Sequence, residues 1–432
     1  MSRAGLDPDR SVPALLVRVG QYPLQHIGLG VVRTLGRLGV PVYAITEDRW
    51  TPAGVSRYCA GRFVQPSTGL EDPELLLSCL VDVGRQLGRP AIAVPTDEEA
   101  AVLIAEHTAE LSDYFLLPQI APALPRKLAS KGGLYELCCE NGVPAPASQT
   151  PKTLAEVNEF AARARFPVVA KNLEAWVRRR APVVPGTTVL RTPEELLALA
   201  ATWGEAPSVI LQDYIPREHA EDWIVHLYCD ANSDCLAIFT GVKIRSWPPH
   251  HGMTACAYIV ANPGLAEMTQ RFCQQIGFCG IADLDYRLDR RDGQYRLLDF
   301  NPRVGSQFRL FETEAGIDVV RAMHLDLTRR PVPPGSQLNG RRFVVESLDA
   351  LAYPAFLRSD YITPSKPRRP TSTELAWLAR DDPLPFAAMS ARSAKPLAAY
   401  VTQTFRSRAA RRQAQKAAGP PVTSRSGALS RR

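Results

Sequence analysis

Two apolar segments near residue 290 carry carboxylates in a pattern that constrains how the chain can pair. Asp283-Leu284-Asp285 lies within the apolar run Ile281–Leu288, and Leu297-Leu298-Asp299-Phe300-Asn301-Pro302-Arg303 follows from Tyr295 onward. The polar turn Asp289–Gly293 between them predicts an antiparallel hairpin. Side chains alternate across a strand, so Asp299 and Asn301 share a face and Asp285 comes within cross-strand reach of both. Two carboxylates and an amide oxygen on one face form a hard-oxygen set. Magnesium suits such a set, keeping waters and phosphate oxygens as its other ligands. A polar strand facing solvent meets the same pattern, and the flanking Leu297, Leu298 and Phe300 do not separate the two readings.

A chain of 432 residues predicts two to three domains, because single cores stop growing near ~250 residues. The first 120 residues alternate strand-like and helix-like segments: strands at Ala14–Val19, Pro41–Ile45, Ala91–Val94 and Tyr114–Leu117, and helices over Gly28–Leu38, Asp72–Leu87 and Asp97–Glu106. That order predicts a parallel sheet covered by helices. The turn Val19-Gly20-Gln21-Tyr22-Pro23 does not fit Gly-x-Gly-x-x-Gly, which argues against a dinucleotide site. A second unit begins near Pro125 with a helix over Arg126–Asn141. It continues through a helix at Leu154–Ala164, strands at Phe166–Lys171, Val209–Gln212, Trp223–Cys229 and Cys235–Thr240, and a helix at Leu265–Ile276 before the carboxylate hairpin. This reads as an α+β unit built on antiparallel pairing. Residues 341–400, with the proline-rich connection Pro364–Pro370, carry no chemistry that the sequence reveals.

The hairpin resembles the metal site of ATP-grasp enzymes, and the remaining motifs of that family follow in order. Lys131 resembles the family's first nucleotide lysine. Lys171, closing Pro167-Val168-Val169-Ala170-Lys171, resembles the second, which reaches the α and β phosphates. Val209–Pro216 is similar to the hinge whose main chain reads adenine, placing Gln212, Asp213, Tyr214 and Ile215 at the base. Gly241-Val242-Lys243 and Pro248-Pro249-His250-His251-Gly252 resemble the mobile loop over the γ-phosphate and acceptor. Three of only eight lysines thus fall on nucleotide or phosphate positions.

The resemblance implies an N-terminal parallel α/β (pre-ATP-grasp) domain over residues 1–124 and a two-subdomain ATP-grasp fold over 125–335. A C-terminal segment, 336–405, and a basic tail, 406–432, complete the chain. It implies ATP and magnesium as cofactors (manganese is a hard substitute), with Asp285, Asp299 and Asn301 as metal ligands. Arg303 would clamp the acyl phosphate or substrate carboxylate, and Lys243 would act at the phosphate being transferred. Arg287, two residues past Asp285, would share its face and assist. The implied activity is carboxylate–amine ligation through an acyl phosphate, on small-molecule acids and amines. Two alternatives stand beside it: an ATP-binding regulatory or scaffold protein, and a carboxylate kinase without amine transfer.

The chain departs from the family's pattern in four places. Asp299 stands where Glu is usual, one methylene shorter, and Gln212 stands where the hinge often has an acid. The ribose-binding acid is open among Glu218, Glu221 and Asp222. The loop after Lys171 carries Arg178-Arg179-Arg180 in place of glycines, either on phosphates or solvated. His250-His251 fits a base, a substrate contact or a plain loop.

Composition bounds the remaining expectations. The net charge of +7 resides in the tail: residues 406–432 hold eight basic side chains and no acid, leaving 43 basic against 44 acidic elsewhere. A nucleic-acid partner is therefore not indicated. The tail's composition predicts disorder, with contact to an acidic partner as the alternative. No apolar run approaches a membrane span, and no signal-like segment opens the chain, so a cytoplasmic protein is expected. A homodimer is compatible with this reading. Nine cysteines, none in Cys-x-x-Cys spacing, predict buried free thiols rather than a zinc site.

Overall fold

The computed structural model describes residues 6–20, 25–68, 70–174, 182–184, 186–249, 252–357, 363 and 365–393. Arg178–Arg180, His250, His251 and the basic tail lie outside them.

Five parallel strands form the first sheet: β1 (Ala14–Val17), β2 (Val42–Thr46), β3 (Cys59–Val64), β4 (Ala91–Pro95) and β5 (Phe115–Leu116), in the order β3-β2-β1-β4-β5. The parallel sheet was expected; β3, whose alternating Cys59–Val64 is half exposed, was not. Asp72 and Asp97 cap the helices Pro73–Leu87 and Glu98–Glu106, each carboxylate accepting a main-chain N–H of the first turn.

The predicted helix over Arg126–Asn141 is two helices, Leu124–Ala129 and Lys131–Glu140. Ser130 is extended between them and its hydroxyl caps the second. Gly133 permits the break, since a Cβ there would lie 2.5 Å from the Lys127 carbonyl oxygen. The break also places Lys131: its N–H bonds the Leu173 carbonyl at 3.0 Å, just past the strand that carries Lys171.

A small antiparallel sheet follows, β6 (Ser148–Gln149), β7 (Val168–Asn172), β8 (Thr188–Leu190) and β9 (Val209–Asp213), ordered β6-β9-β7-β8. The large sheet holds seven strands: β10 (Ala220–Cys229), β11 (Cys235–Trp247), β12 (Met253–Ile259), β13 (Gly280–Asp289), β14 (Gln294–Asn301), β15 (Arg342–Val344) and β16 (Thr373–Leu375). Their order is β14-β13-β10-β11-β12-β15-β16. The β13–β14 hairpin is antiparallel as expected, with Asp285 opposite Asp299 and Asp283 opposite Asn301.

Alternation along the large sheet separates core from chemistry. Trp223, Val225, Leu227, Leu284, Tyr286 and Phe300 pack into one core with the helix Pro263–Ile276. The opposite face carries Asp222, His226, Asp283, Asp285 and Asp299. Farther from the acids, that face turns apolar at Tyr228, Phe239 and Ile281 and joins the core shared with the N-terminal sheet.

The segment beyond residue 341 is part of this architecture. Its strands β15 and β16 extend the large sheet. Ser365, in the proline-rich stretch, donates from N and Oγ to Glu221 at 3.1 and 2.8 Å. Asp382 pairs with Arg33 of the helix Ile27–Gly36 at 2.9 Å, both fully buried, and Arg33 also donates to the carbonyls of Trp377 and Asp382. These contacts, made through Nε and Nη2 of Arg33, tie the segment to the N-terminal unit.

Candidate active site

A cleft opens between β7, β8 and β9 of the small sheet and β10, β11, β13 and β14 of the large one. Ten of the candidate site residues named from the sequence line it: Lys171, Gln212, Asp213, Tyr214, Ile215, Asp222, Lys243, Asp285, Arg287 and Asp299. Lys131 reaches the same point from its helix and forms an ion pair with Asp299. Lys243, on β11, pairs with Asp285 at 2.6 Å.

The electrostatics of this wall are those of crowded, partly shielded charge. Burial opposes ionisation of Asp299, but the Lys131 ammonium prevails and holds the carboxyl below its ordinary range. Asp285 is pushed the other way. Burial outweighs the Lys243 ammonium, and Asp283 and Asp299 add repulsion. Lys243 stays above its usual value despite burial because Asp285 and Asp283 face it. Lys171 is half-buried and is pushed down to about 8, first by burial and then by repulsion from Lys131. Its ammonium makes no ion pair among the described residues.

The hinge leaves the sheet at Asp213, whose N–H bonds the Ala147 carbonyl at 2.9 Å. Tyr214 and Ile215 lie past the strand end, with their main chain outside its ladder. Gln212 is buried, and its amide donates to the Ser148 hydroxyl at 3.0 Å. Of the three acids considered for ribose, only Asp222 reaches the cleft. Glu221 points to the opposite face, where it accepts from Ser365, and Glu218 is exposed in a short 3-10 turn. Asp222 is bonded to Arg287 at 2.7 Å, and this guanidinium holds it below its usual range against burial. Arg287 lines the cleft on the face expected for it.

Asn301 and Arg303 stand apart from the cleft wall. The Asn301 amide nitrogen donates to the Asp283 carbonyl at 3.1 Å, leaving Oδ1 as its acceptor. Arg303 bonds Glu98 of the N-terminal unit at 2.8 Å and Asp283 at 3.0 Å. Behind them His226 is fully buried, 3.2 Å from Asp283, and burial pushes it down to about 4, so the ring is neutral near pH 7. Gly305 is required here, because a Cβ would lie 2.1 Å from the imidazole.

Two participants escaped the sequence reading. Arg217 lines the cleft with its Nη1 buried and without a hydrogen-bond partner among the described residues; its position directly after the hinge proline was the available signal. Glu98 lies 205 residues before Arg303, and as the residue after a helix cap it carried no signal of its role.

No protein-family model matches the chain. Among curated proteins, it is 27% identical over 231 residues to the D-aspartate ligase of Enterococcus faecium, a match covering 51% of this chain and 55% of that protein. The chain thus spans about half the length of that relative. Among solved structures, it is similar to N5-carboxyaminoimidazole synthetase from Staphylococcus aureus complexed with ADP (TM-score 0.58, 11% identity, 76% of this chain and 80% of that one). It is also similar to the L-amino acid ligase from Bacillus licheniformis (TM-score 0.54, 18% identity, 74% and 75%). These likenesses establish a shared fold. No helix among the described residues is long and apolar enough to cross a membrane.

Proposed function

We propose that this chain, which has the ATP-grasp fold, is an ATP-dependent ligase. It would transfer the γ-phosphoryl group of ATP to a substrate carboxylate and couple the acyl phosphate to an amine, releasing ADP and phosphate. One observation carries this reading: three lysines from separate elements, Lys131, Lys171 and Lys243, converge with the facing Asp285–Asp299 pair at one cleft. The D-aspartate ligase and L-amino acid ligase relatives favour an amino acid among the substrates.

The residues fit a divalent cation. Asp285 and Asp299 are opposed across the hairpin, burial and then repulsion from Asp283 and Asp299 raise Asp285, and Asn301 lies further along the same face. Asp285, Asp299 and Asn301 would hold magnesium, whose charge would offset the charge that develops on phosphate during transfer. Lys131 and Lys243 now occupy the same carboxylates. A cation competing for those oxygens would leave both ammonium groups to phosphate, where a compact charge is the suitable partner. Lys171 supplies a third cation, and the main chain at Asp213–Ile215 faces the base. Asp222 is the acid placed for ribose.

Nucleotide binding should also move a proton. Lys171 is partly deprotonated above about pH 8, and phosphate favours its charged form. Binding at pH 8.5 should therefore take up a fraction of a proton, and binding at pH 6.5 none through this group. Calorimetry in two buffers of different ionisation enthalpy reads this. Uptake at pH 8.5 that persists in Lys171→Met would contradict the assignment.

Arg303 would clamp the acyl phosphate or the acid substrate, with Glu98 and Asp283 fixing its orientation. Glu98→Ala should lower kcat/KM for the acid about tenfold, the equivalent of ~1.4 kcal/mol, while KM for ATP stays unchanged. A matched loss for ATP and acid would make Glu98 merely structural.

A further inference from the structure

Three thiols, two of them six residues apart across a hairpin and the third on a helix, meet at one point, away from the cleft. Cys229 ends β10, Cys235 begins β11, and Cys273 lies in the helix Pro263–Ile276. Their three sulfur atoms all lie within 4.8 Å of one another. Cys229 and Cys235 are in direct register across the hairpin, with sulfurs 2.8 Å apart. Among the described residues, this is the one group of three or more His, Cys, Asp or Glu side chains whose ligand atoms converge so closely. The absence of Cys-x-x-Cys spacing had argued against a zinc site, but that spacing tests only ligands close in sequence. Here a strand pair and a helix supply them.

Buried thiols often serve as small apolar fillers. That role needs no convergence, and the chain's other buried cysteines, Cys138, Cys256 and Cys279, show none. The geometry suits a shared ion. Zinc–sulfur bonds of about 2.3 Å put sulfurs around one cation roughly 3.8 Å apart. The separations here bracket that value, so small side-chain adjustments reach it. Thiolate sulfur selects zinc(II) and copper(I) over hard cations, which separates this site from the oxygen set at Asp285 and Asp299. Cys229 and Cys273 are fully buried, while Cys235 is partly open and provides an entry. Asp230 and Asp234 lie in the turn beside that opening, and Asp234 accepts from Gln274, the neighbour of Cys273, at 2.9 Å. Their charge would draw a cation to the mouth.

We propose that Cys229, Cys235 and Cys273 form a three-thiolate site for a soft d¹⁰ cation, zinc(II) or copper(I). Each thiol gives up its proton to solvent on binding, and no oxidation is involved. Copper(I) is satisfied by three sulfurs, whereas zinc(II) would add a water on the Cys235 side. The ion ties the β10–β11 turn to the helix behind it.

The test uses the full-length chain, reduced, stripped with a chelator and kept anaerobic. It is titrated with cobalt(II) as a spectroscopic probe, then with zinc(II), and separately with copper(I). The expected result is a sulfur-to-cobalt charge-transfer band saturating near one equivalent. Displacement by zinc(II), or tighter retention of copper(I), identifies the preferred ion, and the thermal midpoint rises on loading. Cys235→Ser, at the partly open position, should weaken uptake at least tenfold without changing ATP binding, as should Cys273→Ser. Cys138→Ser should take up metal normally. No uptake by the reduced chain would overturn the proposal, whether or not a Cys229–Cys235 disulfide forms in air. Uptake unchanged in Cys235→Ser would overturn it as well.

Discussion

Asp299→Asn lowers turnover at least about a hundredfold, a loss on the order of 3 kcal/mol at ~1.4 kcal/mol per tenfold. The substitution keeps the shape of the side chain and removes its charge. Asp299 faces Asp285 across the hairpin and pairs with Lys131, so its charge bears on both the cation and the first lysine. A charge-assisted contact is roughly twice as strong as a neutral one, and the loss is felt most where charge builds during phosphoryl transfer. Asp299→Glu keeps measurable activity, because it retains the charge and lengthens the side chain by one methylene. Steady-state ADP release, with circular dichroism to confirm folding, checks both variants. Unchanged turnover in Asp299→Asn would remove this residue from the metal site.

Lys171→Met reduces turnover to background, at least about a thousandfold, or ~4 kcal/mol by the same conversion, and weakens ATP binding. Its ammonium is half-buried, makes no ion pair among the described residues and is repelled by Lys131, so the folded chain holds this charge at a cost. Below about pH 8 the group is protonated in both folded and unfolded chains, and that penalty is fully present. Stability rises as pH increases from there toward the ordinary lysine value of 10.5, because the unfolded chain then binds more protons. Methionine removes the penalty, so the variant melts no lower than the parent at pH 7. Loss of ATP binding with an unchanged or raised midpoint marks a functional lysine, whereas a lowered midpoint with normal ATP affinity contradicts the assignment.

The sequence spoke most clearly where local pattern and chemistry coincide. The hairpin was legible from its alternation and polar turn, but the Asp285–Asp299 register itself depends on a bulge between Asp285 and Tyr286 that no local pattern announces. The parallel N-terminal sheet was legible from the alternation of apolar strands and helices. The break at Ser130 was missed, although Ser130 and Gly132-Gly133 are weak helix formers that mark it. It depends on Gly133 packing against the Lys127 carbonyl and on a main-chain bond from Lys131 to Leu173, both set by tertiary contact. Strand β12 was missed, and so were β15 and β16, whose three-residue pairings at one end of the large sheet draw on a sheet that already exists. Among the candidate ribose acids, strand alternation alone separates Glu221 from Asp222, once the register of β10 is known. The contact of Glu98 with Arg303 and the arrival of Cys273 at the Cys229–Cys235 pair are long-range juxtapositions that no local pattern encodes.

The most direct test of the account is ADP release by the wild-type chain across a panel of carboxylates, amino acids included, with and without amines. The account predicts ADP formation that requires both an acid and an amine, and an amide product in equal amount. Acid-dependent ADP without amine incorporation would point to a carboxylate kinase. No ADP from either the wild type or Asp299→Glu with any substrate, while both still bind ATP, would contradict the ligase reading and leave an ATP-binding scaffold.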